Sequence, residues 1–208
     1  MSSPTRTTDV GRPRRFSNED IFAATTRAIA ELGYRELSLS AIASRVGCAK
    51  GTLIQRFQSR EGLIRAYLTW HAERTSEEVQ HLLASSNDPL TTLHHLLTIH
   101  ATSQVHGFGE GASHTPYLLF FAEGRGLPGV REAIDAHALR LEQDVALLLG
   151  KASDQGHIRP HATGELAHLV LAAVSGAMLL WSPAAPRTLG EELERVMRCA
   201  LAPYVIAD

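Results

Sequence analysis

The chain has 208 residues, 44% apolar and 20% charged, so it can bury a sizeable core and is not disordered throughout. Its two cysteines, Cys48 and Cys199, are too few for a disulfide framework or a cysteine metal cluster, which fits a reducing cytoplasm. The net charge of −2 conceals an asymmetry: residues 1–65 hold 11 of the 20 Lys and Arg but only 6 of the 22 Asp and Glu, giving +5, and the remainder carries −7. A basic front part suits a polyanion, and an acidic part must do something else.

Residues 1–15 lack helical periodicity and place Arg6, Arg12, Arg14 and Arg15 among the breakers Pro4, Gly11 and Pro13. They read as a mobile basic arm, and with no apolar stretch they are not a secretory signal. The first helix opens at Ser17, where Ser17 and Asp20 form a capping box and Phe16 and Ile21 a hydrophobic staple. Ile21, Thr25, Ala28, Ile29 and Leu32 then supply its inner stripe, and Gly33 its stop. A second helix starts after Ser38 with Leu39, Ile42, Ala43 and Val46 inward, and turns at Gly47. A third, short helix covers about Lys50 to Phe57, with Leu53 and Phe57 inward. Ser59 caps a fourth that runs to about Ala84.

Asp88-Pro89 opens a fifth helix to about Val105, because Asp caps and Pro is tolerated in the first turn. A glycine-rich loop spans 107–114, and Thr115-Pro116 opens a sixth helix that ends near Gly124. The seventh covers about Val130 to Gln155, and the eighth about Gly164 to Ser182. Thr188 and Glu191 form a capping box for a ninth that ends near Val205. No segment alternates as a strand does, so the expected fold is all-α with about nine helices. No apolar run reaches the roughly 18–20 residues of a membrane helix, since Ser175 and Gly176 interrupt the longest, Ala167 to Trp181.

Ser38 to Phe57 is the informative stretch. Two helices crossing steeply need a small residue at their contact and a glycine in the turn. Ala43 and Gly47 meet those needs, which is the grammar of a helix-turn-helix with its third helix presented outward. The outward residues suit DNA. Lys50 brings charge, Gly51 allows close backbone approach, and Thr52 can touch a phosphate or a thymine methyl. Gln55 can pair with adenine, and Arg56 with guanine or a phosphate.

Residues 16–70 resemble the DNA-binding domain of the TetR family of transcriptional repressors. The run that carries the resemblance is IFAATTRAIAELGYRELSLSAIASRVGCAKGTLIQRFQSREGLIRAYL, through its ELGY, SLSAIASRVG, KGTL and SREGL pieces. The resemblance covers the first third of the chain; the rest agrees only in helix number and length. It implies that Ser38 and Ser40 touch the phosphate backbone. It places Ala49, Lys50, Gly51, Thr52 and Gln55 at the major groove, and Arg60 on a phosphate. Ile54 departs from the family's usual Tyr, a phosphate contact, and Ala49 replaces a frequent Ser.

The resemblance also implies a homodimer on a double-stranded DNA operator, a ligand pocket behind the DNA-binding part, and release by a small-molecule effector. The expected division is a basic arm at 1–15, a helix-turn-helix domain at 16–58 and a ligand-binding and dimerisation domain at 59–208. Helices eight and nine are the expected interface. Helix eight carries Ala173, Gly176 and Ala177 within an apolar surface wider than one core face needs. Tyr117, Phe120 and Phe121, with His100, His106 and Trp181, are the expected walls of a pocket for a hydrophobic effector. No two of the eleven histidines share a helix face at i, i+3 or i, i+4, so no metal site is expected. No nucleophile elbow or paired-carboxylate motif stands out, so neither catalysis nor a cofactor is expected.

Overall fold

The computed structural model describes residues 16–86, 88–102, 115–160 and 162–206. The basic arm, His106 and the loop at 107–114 lie outside them, as does the side chain of His100. The described residues form nine helices: α1 (Asn18–Glu36), α2 (Leu39–Val46), α3 (Lys50–Phe57), α4 (Arg60–Ser86), α5 (Pro89–Thr102), α6 (Thr115–Gly124), α7 (Arg131–Asp154), α8 (Thr163–Leu180) and α9 (Leu189–Leu201). Among them no strand forms, and a single antiparallel bridge joins Ile158 to Val205.

The helix starts obey local chemistry. At α1 the Asp20 N–H donates to Ser17 Oγ at 3.0 Å and the Ser17 N–H to Asp20 Oδ2 at 2.9 Å. The Ser17 hydroxyl, which donates to Asp20 Oδ2 at 2.7 Å, and the Ser17 N–H hold the Asp20 carboxyl below its ordinary range. At α5 the Leu90 and Thr91 N–H groups donate to Asp88 Oδ1 at 3.0 and 3.3 Å. At α9 Thr188 and Glu191 complete the second capping box.

Two boundaries and one apolar run differ from expectation. Gly33 does not end α1 but breaks it: at φ +65° and ψ −168° the chain leaves helical geometry, then makes a further turn to Glu36. The apolar run through Ser175 and Gly176 is longer than expected: α8 is, by length and composition alone, long and apolar enough to cross a bilayer. α9 stops at Leu201 rather than near Val205, two residues before Pro203, which cannot donate a helical hydrogen bond.

Two apolar clusters organise the helices. The first joins Ile21, Ile29, Ile42, Leu53, Leu63 and Tyr67 of α1 to α4 with Phe120 of α6, and with Val130 and Ile134 at the start of α7. The second joins Val79 of α4 with Leu93, Leu148, Val170 and Leu193 of α5, α7, α8 and α9. Each buried Leu, Ile or Phe contributes about 1.5–3 kcal/mol relative to exposure. The 27 residues of α4 run from one cluster into the other, so α4 is mechanically continuous between them.

Candidate nucleic-acid interface and cavity

The α2–α3 corner follows from three residues. Ala43 is 2% exposed at the helix contact, Gly47 adopts φ +76°, and the Cys48 N–H donates to Ala43 O at 3.0 Å. The left-handed φ at Gly47 is one that a side chain would strain. With Leu53 fully buried, the opposite side of α3 faces solvent. Lys50, Gly51, Ile54, Gln55 and Gln58 are exposed at i, i+1, i+4, i+5 and i+8, a single face. Ala49 is exposed just before it and Thr52 is half-buried at its edge. A Cβ on Gly51 would meet nothing within 4 Å, so the protein leaves that space open.

At the start of α2, Ser38 and Ser40 are both exposed. Ser38 Oγ accepts from the Ala41 N–H at 3.1 Å, which leaves its own proton for another acceptor.

The two arginines are engaged within the chain. Arg56 Nη1 donates to Asn18 Oδ1 and Nη2 to Phe16 O, both at 3.1 Å, so it ties α3 to the start of α1. Arg60 Nη2 donates to the Tyr34 hydroxyl at 2.8 Å, Nη1 to Leu37 O at 3.3 Å and Nε to Glu61 Oε1 at 3.1 Å. Its guanidinium also lies 4.6 Å from the Tyr34 ring centroid. Burial raises the Tyr34 hydroxyl above its ordinary range, against the opposing effect of the Arg60 charge. Arg60 thus clips the end of α1 to the start of α4 and is half-buried rather than extended outward.

Behind this surface a cavity of ≈ 260 Å³ opens among α4, α5, α6, α7 and α8. Tyr117 and Phe121 line it, as expected. Two expected wall residues do not. Phe120 points the other way, fully buried in the first cluster with its ring 5.9 Å from that of Tyr34. Successive residues of a helix face different directions, so one of these aromatics had to leave the pocket. Trp181 lies just past α8, packs on the second cluster and donates from Nε1 to Arg187 O at 2.9 Å.

The polar lining comes from residues that sequence reasoning did not single out. His71 Nδ1 and His137 Nε2 approach to 3.0 Å across α4 and α7. Farther along the same two helices, Arg140 Nε donates to Ser76 Oγ at 2.7 Å, and Ser76 Oγ donates to Asp144 Oδ2 at 2.5 Å. Asp144 is 5% exposed. Arg125 also lines the cavity and is paired with Asp135 at 3.0 Å. The signal for this set was present: His137, Arg140 and Asp144 recur at i, i+3 and i+7, a polar stripe on the face of α7 that should have been core. Burial pushes the Tyr117 hydroxyl well above its ordinary range. Among the described residues no three His, Cys, Asp or Glu side chains converge as metal ligands.

The outer face of α8 is apolar. Leu169 is 49% exposed, Leu179 53% and Leu180 85%, with Ala172 also exposed and Gly176 half-buried between them. A Cβ on Gly176 would meet nothing within 4 Å. α9 differs: its exposed side carries Glu191, Glu194, Arg195 and Arg198, so the unpartnered apolar surface belongs to α8.

Residues 21–67 match the family model of bacterial regulatory proteins, tetR family. The HTH-type transcriptional regulator BetI of Yersinia pestis (strain Pestoides F) is 35% identical over 77 residues, which cover 36% of this chain. The match spans 39% of that relative's own length. Solved structures with the same fold cover far more. The fatty acid degradation regulator FadR of Bacillus halodurans superposes with a TM-score of 0.70 at 18% identity, over 89% of this chain and 98% of its own. A putative transcriptional regulator of Saccharomonospora viridis, in complex with choline, gives 0.71 at 18%, over 91% and 98%. FadR of Thermus thermophilus, a TetR-family repressor in complex with lauroyl-CoA, gives 0.58 at 24%, over 92% and 97%.

Proposed function

We propose that this chain, whose residues 21–67 match the family model of bacterial regulatory proteins, tetR family, is a cytoplasmic, homodimeric repressor of that family, released from its operator by a small molecule. The observation that carries the reading is the exposed face of α3, cationic and polar over a fully buried Leu53. Lys50 and Gln55 read base edges in the major groove, and Ile54 offers an apolar contact that suits a thymine methyl. Ser38, Ser40 and Thr52 hold the backbone. Arg56 and Arg60 act chiefly by fixing α3 and α4 against α1, and reach phosphate only by giving up internal bonds.

One such domain makes too few contacts for a specific site. A second copy across the outer face of α8, with α9 at its margin, supplies the other half-site and covers the apolar surface that would otherwise face water. Two neighbours of the same fold hold a small molecule, choline in one and lauroyl-CoA in the other. The cavity is the corresponding seat here, and α4 carries its occupancy toward α3 through differential affinity for two arrangements. No catalytic step, cofactor or membrane belongs to this role.

The test is binding to a duplex selected from a random library, measured by fluorescence anisotropy over a range of salt. Replacing Lys50 and Gln55 by Ala together removes specific binding, about 1–3 kcal/mol for each base contact, and leaves the dimer intact. Unchanged affinity overturns the assignment of α3 as the reading helix.

A further inference from the structure

The cavity's donors and acceptors are not equally available, and the difference selects a ligand class. Among the described residues the one carboxylate that lines it, Asp144, has a side chain only 7% exposed. Its Oδ2 already accepts from Ser76 Oγ, and its Oδ1 lies 3.9 Å from Arg140 Nε. Its charge is therefore met from inside. Arg140 is the reverse. Its side chain is 53% exposed, and its described bonds to Ser76 and Asp144 use Nε alone. Both terminal nitrogens remain as a planar fork at the cavity wall.

The other titratable groups agree. Arg125 lines the cavity with its Nε on Asp135, and the His71–His137 pair can gain positive charge but never negative. Tyr117 stays neutral because burial raises its hydroxyl. The rest of the wall carries no charge: it is mostly apolar, with Leu96, Leu97, Leu118, Leu141, Val174 and Met178, and adds the hydroxyls of Thr75 and Ser175.

We propose that this cavity takes an amphiphilic organic anion, a carboxylate on an unbranched apolar tail, with its head on the Arg140 fork and its tail among the leucines. A cation would have to compete with Ser76 and Arg140 for a carboxylate that is nearly closed off. A neutral chain would leave the Arg140 fork unanswered. The proposal rests on the cavity being the effector seat, but binding itself requires no DNA.

The experiment compares decanoate, decanol and decyltrimethylammonium by isothermal titration calorimetry on the full chain without DNA. Decanoate binds roughly tenfold to a hundredfold tighter than decanol, the range of a charge-assisted hydrogen bond. In Arg140→Gln, which keeps a donor for Ser76, the gap between decanoate and decanol closes while decanol binding is unchanged. Ser175→Trp, which fills the cavity from an exposed position, abolishes all binding. Equal affinity for decanoate and decanol overturns the proposal, as does a gap that persists in Arg140→Gln. Preference for the ammonium would move the head to Asp144 and overturn it too, and decanoate binding that survives Ser175→Trp places the ligand elsewhere and overturns it as well. Adding decanoate to the DNA complex then tests the regulatory reading separately: binding without DNA release refutes that reading and leaves the ligand class standing.

Discussion

Gly62 sits in the first turn of α4, where the chain folds back on the end of α3. A Cβ added there would lie 2.1 Å from the carbonyl oxygen of Phe57, a backbone atom that no rotamer change can move. Reaching even 3.0 Å requires α3 and α4 to separate by about 1 Å. That same carbonyl accepts from the Ser59 N–H at 2.8 Å, a bond the separation weakens. Gly62→Ala gains about 1 kcal/mol of helix propensity. It loses about 1–3 kcal/mol to overpacking and about 0.5–1.5 kcal/mol with the hydrogen bond. The expected net loss is about 1–3 kcal/mol, and for a chain of this size each kcal/mol lowers Tm by about 2–4 °C. Calorimetry reads the stability, and anisotropy on the selected duplex reads the consequence for α3. DNA affinity is expected to fall at temperatures where the variant is still fully folded, because a recognition helix displaced by about 1 Å no longer meets base edges at bonding distance. A Gly62→Ala protein as stable as the parent and equal in DNA affinity would refute the close approach.

Other tests address different parts of the chain. Replacing Lys50 and Gln55 by Ala separates base reading from folding, as described above. Gly176→Leu should meet no obstacle within its own protomer, so a fall in the dimer fraction by sedimentation with an unchanged helical spectrum would locate the interface on α8, and a normal dimer would remove it. Burial pushes the Tyr67 hydroxyl up to about 12 from an ordinary value near 10. Its folded pKa lies above the unfolded one, so stability is full below pH 10 and is lost as pH rises toward 12, by about 1.4 kcal/mol per pH unit. Tyr67→Phe should flatten that alkaline slope in denaturant melts, and an unchanged slope would assign it to other groups.

The helices were legible because their signals are local. Ser17 with Asp20, Asp88 with Pro89, and Thr188 with Glu191 each announce a start within four residues. The outward face of α3 followed from the positions of Leu53 and Phe57 within one short helix. What escaped the sequence depends on partners far away in number. Arg56 and Arg60 looked like free cations, because nothing near them reveals that Phe16, Asn18 and Tyr34 would receive their guanidinium groups. His71 and His137 lie on different helices, and no spacing rule joins them. Phe120 and Trp181 were assigned to the pocket by residue type, whereas the direction of each side chain is set by packing that only the assembled helices define. The apolar length of α8 was underestimated because Ser175 and Gly176 look like an end to the run, although neither carries a charge and the helix continues through both.

The placement of Phe120 has a consequence for any transplant of α1 to α4. Its ring fills the interior built by α1 to α4, beside Tyr34, while Tyr117, a turn earlier, and Phe121, the next residue, face the cavity. Cutting the chain after α4 and grafting the front piece onto another regulator would leave a hole at least the size of a benzyl group in the donor fragment. A working chimaera must carry a matching sixth helix, or redesign the seam around Tyr34.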